Sequence, residues 1–362
     1  MNNQNIEKIN RPQQPKEPFP YCVEEVSYEN VGDGITLSGT LTFPNAQPQS
    51  TFPVALLIAG YGSNDRDVTG MGHKYFMVLA DYLTRKGIAV LRFDKRGVGK
   101  STGDYTAVTS KELANDALSG VEYLKTRSEI NHNQIGLIGL SEGGLIASMV
   151  AAQSKDVAFA VLMAPSVAMK VEDIVYHTQL QLCADGATEA FIESDRPVRE
   201  AIYTIAAQEA DREKAESLMQ KIIADYLAKL PESQKLEAKT LPFAFTAQNA
   251  SSFIKAFTSP AYRFFLTYDP SVILKQITVP VLALSSDRDW IMMPERAFPV
   301  LDRALQAAGN KDYTLLALPH LNHCFQTCKT GALAEYATIE ETMSPVALKT
   351  IADWILERTI NK

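Results

Sequence analysis

The chain has 362 residues, of which 46% are hydrophobic and 21% are charged, and its formal net charge is −7 at pH 7. This length and balance predict one large α/β domain that carries an insertion. The acidic charge argues against nucleic acid as a partner, because phosphate backbones select for basic patches. No apolar stretch reaches the roughly 18 to 20 residues that span a bilayer, so we expect no membrane span.

The first 20 residues are polar and rich in proline, which predicts an extended strap over residues 1–20. They lack the apolar segment of a signal peptide, which leaves two locations open: the cytoplasm, or the periplasm or exterior if Met1 replaces an export signal that has been removed. Residues 23–30 and 35–44 then alternate apolar and polar side chains on either side of a Gly-Asp-Gly turn. This alternation is typical of an antiparallel hairpin with one side facing solvent.

After the hairpin, short apolar runs alternate with segments in which apolar residues recur at helical spacing. The apolar runs, which we predict to be strands, are residues 54–60, 88–94, 134–140 and 157–165. The amphipathic segments, which we predict to be helices, are residues 74–87, 111–127 and 143–153. Unbroken apolar strands that alternate with helices indicate a mostly parallel, doubly wound sheet with helices on both faces.

The strand pattern stops between residues 166 and 276, where the sequence is polar and helical in its spacing. It resumes as strand, helix, strand and helix at residues 278–286, 294–309, 312–319 and 345–359. We therefore predict that residues 21–165 and 277–362 form an α/β catalytic core and that residues 166–276 form an inserted helical cap. Caps commonly cover a site at the carboxyl edge of such a sheet.

Ser141 lies where the strand predicted at 134–140 ends, in the pattern Gly139-Leu140-Ser141-Glu142-Gly143. A G-x-S-x-G pattern between a strand and a helix is typical of a nucleophile on a sharp turn, because the glycines remove the clashes that such a turn would cause. The alternative is a glycine-rich turn in which Ser141 only caps the next helix. We predict that Ser141 is a catalytic nucleophile.

A serine hydroxyl needs a general base, and the chain has five histidines. His320 and His323 follow directly after the strand at 312–319, so they belong to the sheet edge that carries Ser141. We favour His323 as the base and keep His320 as the alternative. For either one, the competing interpretation is a loop histidine held by backbone hydrogen bonds.

The base in turn needs a carboxylate that orients the imidazole and stabilises its charge. Asp287 and Asp289 both follow the strand at 278–286. We favour Asp289, because it lies deeper in the loop beside apolar residues, and we expect Asp287 to contact Arg288 or solvent. The order Ser, Asp, His along the chain is the one expected for an α/β-hydrolase.

Acyl transfer also needs hydrogen-bond donors for the charge that develops on the substrate oxygen. The backbone N–H of Glu142, which directly follows the nucleophile, is the first predicted donor. The backbone N–H of Tyr61 is the second, because Gly60 and Gly62 allow the chain to pass close to the substrate. The alternative for this stretch is an ordinary glycine-containing exit from the strand.

Two other features are assigned no chemistry. The run from Gly97 to Thr102 misses the spacing of a phosphate-binding loop, because Asp94 stands where the first glycine is required. We expect a structural loop that Asp94 and Arg96 hold in place. The four cysteines lack the pattern of a disulfide framework or a zinc site, so we expect free or half-buried thiols and no bound metal.

Taken together, these residues resemble the α/β-hydrolase superfamily, and in particular bacterial serine esterases with a Gly-x-Gly-x-x-Asp-Arg-Asp loop, here Gly60 to Asp67. Such proteins also carry an R-x-D-x-R-G-x-G-x-S-x-G loop, here Arg92 to Gly103, and a histidine loop similar to residues 321–326. The resemblance implies the α/β-hydrolase fold and ester hydrolysis by a Ser141, Asp289 and His323 triad. It also implies an oxyanion hole at the Tyr61 and Glu142 amides, and no cofactor.

We therefore predict a serine carboxylesterase that acts on small-molecule esters through an acyl-enzyme on Ser141. Trp290 and Met292 are predicted to line a pocket for an apolar acyl or aryl group, with plain core packing as the alternative. An acyl-CoA thioesterase or a serine peptidase with the same triad remains open, because the resemblance does not distinguish them. A non-catalytic binder with a hydrolase fold would require a broken triad.

Overall fold

The computed structural model describes residues 9–45 and 50–359. Residues 1–8 of the predicted strap lie outside the described part, as do residues 360–362 of the predicted core. Residues 9–20 contain no helix or strand. Among the described residues, no helix combines the length and the apolar character that a membrane crossing requires.

Ten strands are described, and eight of them form one sheet in the order β1-β2-β6-β3-β7-β8-β9-β10. Their bounds are β1 Tyr21–Asn30, β2 Ile35–Pro44, β3 Phe52–Ile58, β4 Thr69–Gly70, β5 His73–Lys74, β6 Ala89–Phe93, β7 Ile130–Leu140, β8 Val157–Met163, β9 Val281–Ser286 and β10 Tyr313–Leu318. Six neighbouring strands in this order pair in parallel, namely β6, β3, β7, β8, β9 and β10. The β1–β2 hairpin adds to one edge, where β2 pairs antiparallel with β6.

Helices follow the strands as the periodicity predicts. Their bounds are α1 Tyr75–Arg85, α2 Ser110–Leu124, α3 Glu142–Gln153, α4 Val171–Ala184, α5 Glu189–Gln208, α6 Arg212–Lys229, α7 Glu232–Ala238, α8 Ala250–Phe257, α9 Pro260–Thr267, α10 Ser271–Leu274, α11 Pro294–Ala307, α12 Leu333–Tyr336 and α13 Pro345–Thr359. Local chemistry starts several of them. The Thr109 hydroxyl and the Glu112 carboxylate form a capping box at α2, which satisfies amide groups that have no partner inside the helix.

The two faces of the sheet bury separate hydrophobic clusters. On one face α2, α3 and α11 contribute side chains such as Leu113, Ile146 and Leu301. On the other face α1 and α13 contribute side chains such as Phe76 and Ile351. This confirms the predicted doubly wound sheet, because only a sheet covered on both faces has unbroken apolar strands.

Helices α4 to α10 lie between β8 and β9, the stretch where the sequence predicts an inserted cap. They enclose a hydrophobic cluster of their own, which includes Phe191, Met219 and Phe245. Before the first helix, His73 lies in the short strand β5, which pairs with β4, and α1 begins two residues later at Tyr75.

Candidate active site

The carboxyl ends of β3, β7, β9 and β10 meet at one edge of the sheet because these strands run in parallel. The loops that leave these ends carry Tyr61, Ser141, Asp289 and His323. These residues are far apart in the chain, and the sheet brings their loops to one side. The sequence predicts this arrangement from the position of each residue at a strand end.

Ser141 occupies a strained turn between β7 and α3, with φ 57° and ψ −117°. A side chain at Gly139 would overlap the carbonyl group of Gly143, and one at Gly143 would overlap the carbonyl group of Ile58. The two glycines therefore let α3 start directly against β7 and β3. A positive φ at a serine raises the backbone energy, and such strain is typical of a nucleophile held out into a site.

His323 and Asp289 form the hydrogen-bonded pair that the sequence predicts. The Nδ1–H of His323 donates to Asp289 Oδ2 at 2.9 Å. The other carboxylate oxygen of Asp289 accepts the amides of Ile291 and Met292 at 2.9 and 2.8 Å. Asp289 is fully buried, and these donors keep its charge satisfied. Because Asp289 accepts the Nδ1–H of His323, the other ring nitrogen, Nε2, is left without a proton and can take one.

Asp287 and His320, the alternatives to this pair, contact each other instead of Asp289 and His323. Asp287 is exposed to solvent, one of the two environments expected for it, and its Oδ1 also accepts the backbone amide of His320 at 2.6 Å. His320 is exposed, with φ 62°, and its ring makes no hydrogen bond to a described residue. The short bond between them shapes the loop in front of His323.

The histidine loop rests on a buried network that sequence reasoning missed. His73 is completely buried, and its ring nitrogens contact Thr342 Oγ1 at 2.9 Å and the Tyr336 carbonyl oxygen at 3.0 Å. The Gln326 amide links His73 to this loop, and the amide of His323 donates to the Tyr336 hydroxyl at 3.2 Å. Burial lowers the pKa of His73, which favours the neutral ring that such a network needs.

The Ser141 hydroxyl lies 3.5 Å from the Ser166 hydroxyl. Within the described residues no hydrogen bond joins Ser141 to His323. Catalytic hydrogen bonds of this kind are commonly long without substrate and tighten when it binds. The contact shows that Ser141 Oγ also faces the loop after β8.

In both peptide groups that carry a predicted oxyanion donor, hydrogen bonds hold the carbonyl oxygen in place. The Ser141 carbonyl, which shares a peptide group with the Glu142 amide, accepts the amides of Gly144 and Ser166 at 2.9 and 3.1 Å. The Gly60 carbonyl, which shares a peptide group with the Tyr61 amide, accepts Lys95 Nζ at 2.5 Å and Asn64 Nδ2 at 2.9 Å. The Tyr61 and Glu142 amides themselves donate to no acceptor among the described residues.

The Glu142 carboxylate was assigned no role from the sequence, yet it is fully buried and paired with Lys95. Lys95 Nζ lies 3.1 Å from Glu142 Oε2, and the Ser110 hydroxyl donates to Glu142 Oε1 at 2.9 Å. The loop that carries Lys95 is held as predicted, by Asp94 with Arg66 and by Arg96 with Asp116. No sequence motif marks Lys95, because its partners are far away along the chain.

A cavity of about 340 Å³ opens beside Ser141. Trp290 and Met292 both line it, and Met292 also packs in the hydrophobic core on one face of the sheet. Most of the other lining side chains are aromatic or aliphatic and come from the segment predicted as the cap, namely Met169, Ile174, Phe243, Phe253, Phe257, Tyr262 and Phe265. The space next to the serine is therefore mainly apolar.

Polar side chains of helices α4 and α5 also line the cavity, among them His177, Gln181 and Arg199. His177 is buried, and its burial lowers the pKa to about 4, so the ring is neutral at pH 7. Gln181 lies one turn further along α4. Arg199 is buried too, but its Nε donates to Asp195 at 2.9 Å, so its charge is compensated within the helix.

A doubly wound sheet with a serine on a strained strand–helix turn, and with a buried His–Asp pair at later strand ends, defines an α/β-hydrolase. Comparison with protein families gives the finer assignment. Residues 33–322 match the family described as X-Pro dipeptidyl-peptidase (S15 family), and the chain belongs to this family.

Among curated proteins the chain is similar to esterase EstD of Thermotoga maritima, with 25% identity over 306 residues. This match covers 84% of the chain and 62% of the relative, so the chain spans less than two thirds of that protein's length. It is also similar to polyketide transferase grgF of a Penicillium species, with 31% identity over 134 residues that cover 37% of the chain and 42% of the relative.

Two solved structures illustrate the shared fold. Est1E from Butyrivibrio proteoclasticus, solved with ferulic acid, has a TM-score of 0.54 at 17% identity over 93% of this chain and all of that one. The Pyrococcus furiosus esterase Pf2001 has a TM-score of 0.52 at 19% identity over 94% of this chain and 91% of that one. These similarities confirm the predicted α/β-hydrolase fold.

Proposed function

We propose that the chain is a serine hydrolase that cleaves carboxylic esters. The observation that carries the proposal is the strained Ser141 turn beside an apolar cavity, at the sheet edge that also holds the His323–Asp289 pair. A nucleophile, a base and an orienting carboxylate are together sufficient for acyl transfer through a serine. The names of esterase EstD and of the Pf2001 esterase support this proposal, as statements about those relatives.

In the proposed reaction, Ser141 Oγ attacks the ester carbonyl carbon while His323 Nε2 takes its proton. Asp289 holds the imidazole and stabilises its positive charge. The carbonyl oxygen becomes an oxyanion that accepts the Tyr61 and Glu142 amides. Collapse of this intermediate expels the alcohol, which takes the proton from His323, and leaves an acyl-enzyme on Ser141. Water then attacks the acyl group by the same steps and releases the acid.

The proposed substrates are small esters with an apolar acyl or aryl part. A cavity of about 340 Å³ has room for a small acyl or aryl group, and its aromatic lining favours apolar groups. Trp290 and Met292 would contact that group. We further propose that residues 166–276 act as the cap over this site.

A serine peptidase is the second candidate, because the matching family carries the name of a dipeptidyl-peptidase. A peptidase that recognises a free amino terminus needs a negative charge near its ammonium group, since an unpaired buried cation is costly. No acidic side chain is among the described residues that line the cavity. The apolar lining therefore favours ester substrates over peptides with a free terminus.

An acyl-CoA thioesterase is less well supported. The phosphates of coenzyme A call for unpaired basic side chains near the site, and the one arginine that lines the cavity, Arg199, is bound to Asp195. A non-catalytic binder is disfavoured, because Ser141 and the His323–Asp289 pair are all present at strand ends on one edge of the sheet.

One panel of substrates tests these candidates together. Turnover is measured for p-nitrophenyl esters of increasing chain length, for acyl-CoA thioesters and for aminoacyl anilides, with wild type and Ser141→Ala. We expect hydrolysis of short esters that Ser141→Ala abolishes, and covalent labelling of Ser141 by a fluorophosphonate probe. Ester turnover that survives Ser141→Ala would refute the mechanism, and a preference for anilides would favour the peptidase.

A further inference from the structure

Lys95 and Glu142 form an ion pair behind Ser141, and their side chains are only 4% and 0% exposed. Removing two charges from water is costly, and their mutual attraction offsets this cost only with good geometry and further hydrogen bonds. Stability alone is therefore a weak explanation for this pair. The atoms that surround it point to another role.

The ammonium group of Lys95 binds the Gly60 carbonyl oxygen at 2.5 Å, and Asn64 Nδ2 binds the same oxygen at 2.9 Å. This carbonyl belongs to the peptide group that carries the Tyr61 N–H. In a planar trans peptide, the N–H points away from its own carbonyl. Anchoring the oxygen therefore fixes the direction in which the Tyr61 N–H points.

Glu142 connects this anchor to the other proposed oxyanion donor. Its backbone N–H is that donor, and its carboxylate holds the Lys95 ammonium at 3.1 Å. The Ser110 hydroxyl donates to the remaining carboxylate oxygen of Glu142 at 2.9 Å. A single residue thus contributes one donor through its backbone and secures the other donor through its side chain.

The ring of Tyr105 lies beside the same ammonium group. Lys95 Nζ lies 5.0 Å from the ring centre of Tyr105, within the range of a cation–π contact. The Tyr105 hydroxyl accepts the Gly62 amide at 2.7 Å, which anchors the residue after Tyr61. The loop that carries the Tyr61 donor is therefore held at its carbonyl before Tyr61 and at its amide after Tyr61.

We propose that Lys95, held by Glu142, is a positioning residue that orients and polarises the Gly60–Tyr61 peptide group so that the Tyr61 N–H binds the oxyanion. The inference rests on the proposed function, because it assigns a task within that reaction. A cation at the carbonyl strengthens the N–H of the same peptide as a donor, since linked hydrogen bonds polarise one another. The benefit is largest in the transition state, where the substrate oxygen gains its charge.

The test compares Lys95→Met with the double variant Lys95→Met/Glu142→Gln. The double variant avoids leaving an unpaired buried carboxylate and is therefore the better folded of the two. We expect kcat for p-nitrophenyl butyrate to fall about 10- to 100-fold in both, below the loss from removing an oxyanion donor outright. KM should stay within about threefold, because the ester in its ground state has little charge on its oxygen.

A boronic acid inhibitor supplies the readout that a structural role would not change. It adds to Ser141 Oγ and places a negative oxygen where the oxyanion forms, so its affinity should weaken by the same factor as kcat. Arg127→Met is the matched control, because it removes a cation paired with Glu24 and Glu129 at the opposite edge of the sheet. This control should lower the melting temperature and leave kcat and boronate affinity near wild type.

Asn64→Ala provides a second route if the Lys95 variants do not fold. It removes the other donor to the Gly60 carbonyl from a half-buried position, and it should lower kcat and boronate affinity severalfold with KM unchanged. Folded Lys95 variants that keep both quantities within threefold of wild type overturn the inference alone. A wild-type protein that neither turns over esters nor reacts with a fluorophosphonate overturns the proposed function, and the inference with it.

Discussion

The backbone of Ser141 shows how a single residue is held in a costly conformation. Its φ of 57° lies in the left-handed region, which residues other than glycine rarely adopt. Hydrogen bonds on both sides of the residue maintain it, from the Ser141 amide to the Met163 carbonyl at 2.8 Å and from the amides of Gly144 and Ser166 to the Ser141 carbonyl. The strain is therefore supported by β8 and α3 and persists in the folded protein.

Asp289→Asn tests whether the buried carboxylate orients the base. An amide at this position cannot accept the Nδ1–H of His323 in the same way, so the imidazole adopts the wrong tautomer and loses its proton acceptor. We expect kcat to fall roughly 10⁴-fold with little change in KM. Steady-state kinetics with p-nitrophenyl butyrate measures this. Asp287→Asn is the control, and a larger loss in Asp287→Asn would show that the wrong aspartate was assigned.

Gly143→Ala tests the close approach of α3 to β3. The added methyl group would meet the Ile58 carbonyl, which is backbone in the middle of the core and cannot move aside cheaply. We expect a loss of about 2 kcal/mol in the free energy of unfolding, measured by urea denaturation. Gly70→Ala is the control, because nothing lies within 4 Å of a methyl group there. Equal stability of the two variants would contradict the packing argument.

At the scale of elements, helix α4 determines the polar character of the cavity. His177 and Gln181 lie four residues apart and therefore on one face of the helix, and both line the cavity. The His177 Nε2 and the Gln181 Oε1 are buried and accept no hydrogen bond from a described residue. The side-chain amide of Gln181 neighbours Asp185 on the next turn. A buried acceptor without a donor costs about 1–3 kcal/mol, so a donor on the substrate would be favoured.

Gln181→Leu tests this expectation on substrate choice. If Gln181 Oε1 accepts a hydroxyl group of the substrate, wild type should favour p-nitrophenyl 6-hydroxyhexanoate over p-nitrophenyl hexanoate relative to the variant. We expect the ratio of the two kcat/KM values to change by about tenfold, equivalent to one hydrogen bond of about 1.4 kcal/mol. Gln220→Leu, at an exposed position on α6, is the control. An unchanged ratio would remove Gln181 from substrate recognition.

On the scale of the whole molecule, the sheet edge and its loops are tied together by segments from both ends of the chain. Arg11 donates to the carbonyl groups of Gly72 and Ala337 at 3.1 and 2.7 Å. Gln13 accepts the amide of Met343 at 3.0 Å, just before α13. The described part of the amino-terminal segment therefore braces the region behind the histidine loop.

His177 links the cavity to the stability of the whole chain. Its pKa falls to about 4 in the folded protein because of burial, with Asp289, Arg296 and His323 as its charged or titratable neighbours. An unfolded histidine has a pKa near 6.5, so between about pH 4 and pH 6.5 the unfolded state binds a proton at His177 and the folded state does not. Stability should be unaffected above about pH 6.5 and fall by about 3 kcal/mol as the pH drops to about 4.

The measurement is the free energy of unfolding of wild type and His177→Gln across this range. The variant removes the titration, so its stability should decline less steeply between pH 6.5 and 4. His132→Gln, at an exposed site, should leave the wild-type slope unchanged. Parallel curves for wild type and His177→Gln would show that His177 does not control the acid sensitivity.

The sequence by itself determined the α/β-hydrolase fold. A parallel sheet that is buried on both faces requires strands that are apolar throughout, and the helices that cover it require apolar residues at helical spacing, so both patterns can be recognised in the chain. It also determined which residues stand at strand ends. The candidate roles of Ser141, Asp289 and His323 followed from that, together with the glycines around Ser141. These features are local, and each can be read within about ten residues.

The tertiary structure alone decided the contacts between distant segments. It gave Asp287 to the His320 amide and placed His73 in a network behind the histidine loop. Only the fold brought Lys95 to the Gly60 carbonyl and to the Glu142 carboxylate. The physical reason is that a buried polar group takes whichever partner the packing brings within reach, and spacing along the chain does not record that distance.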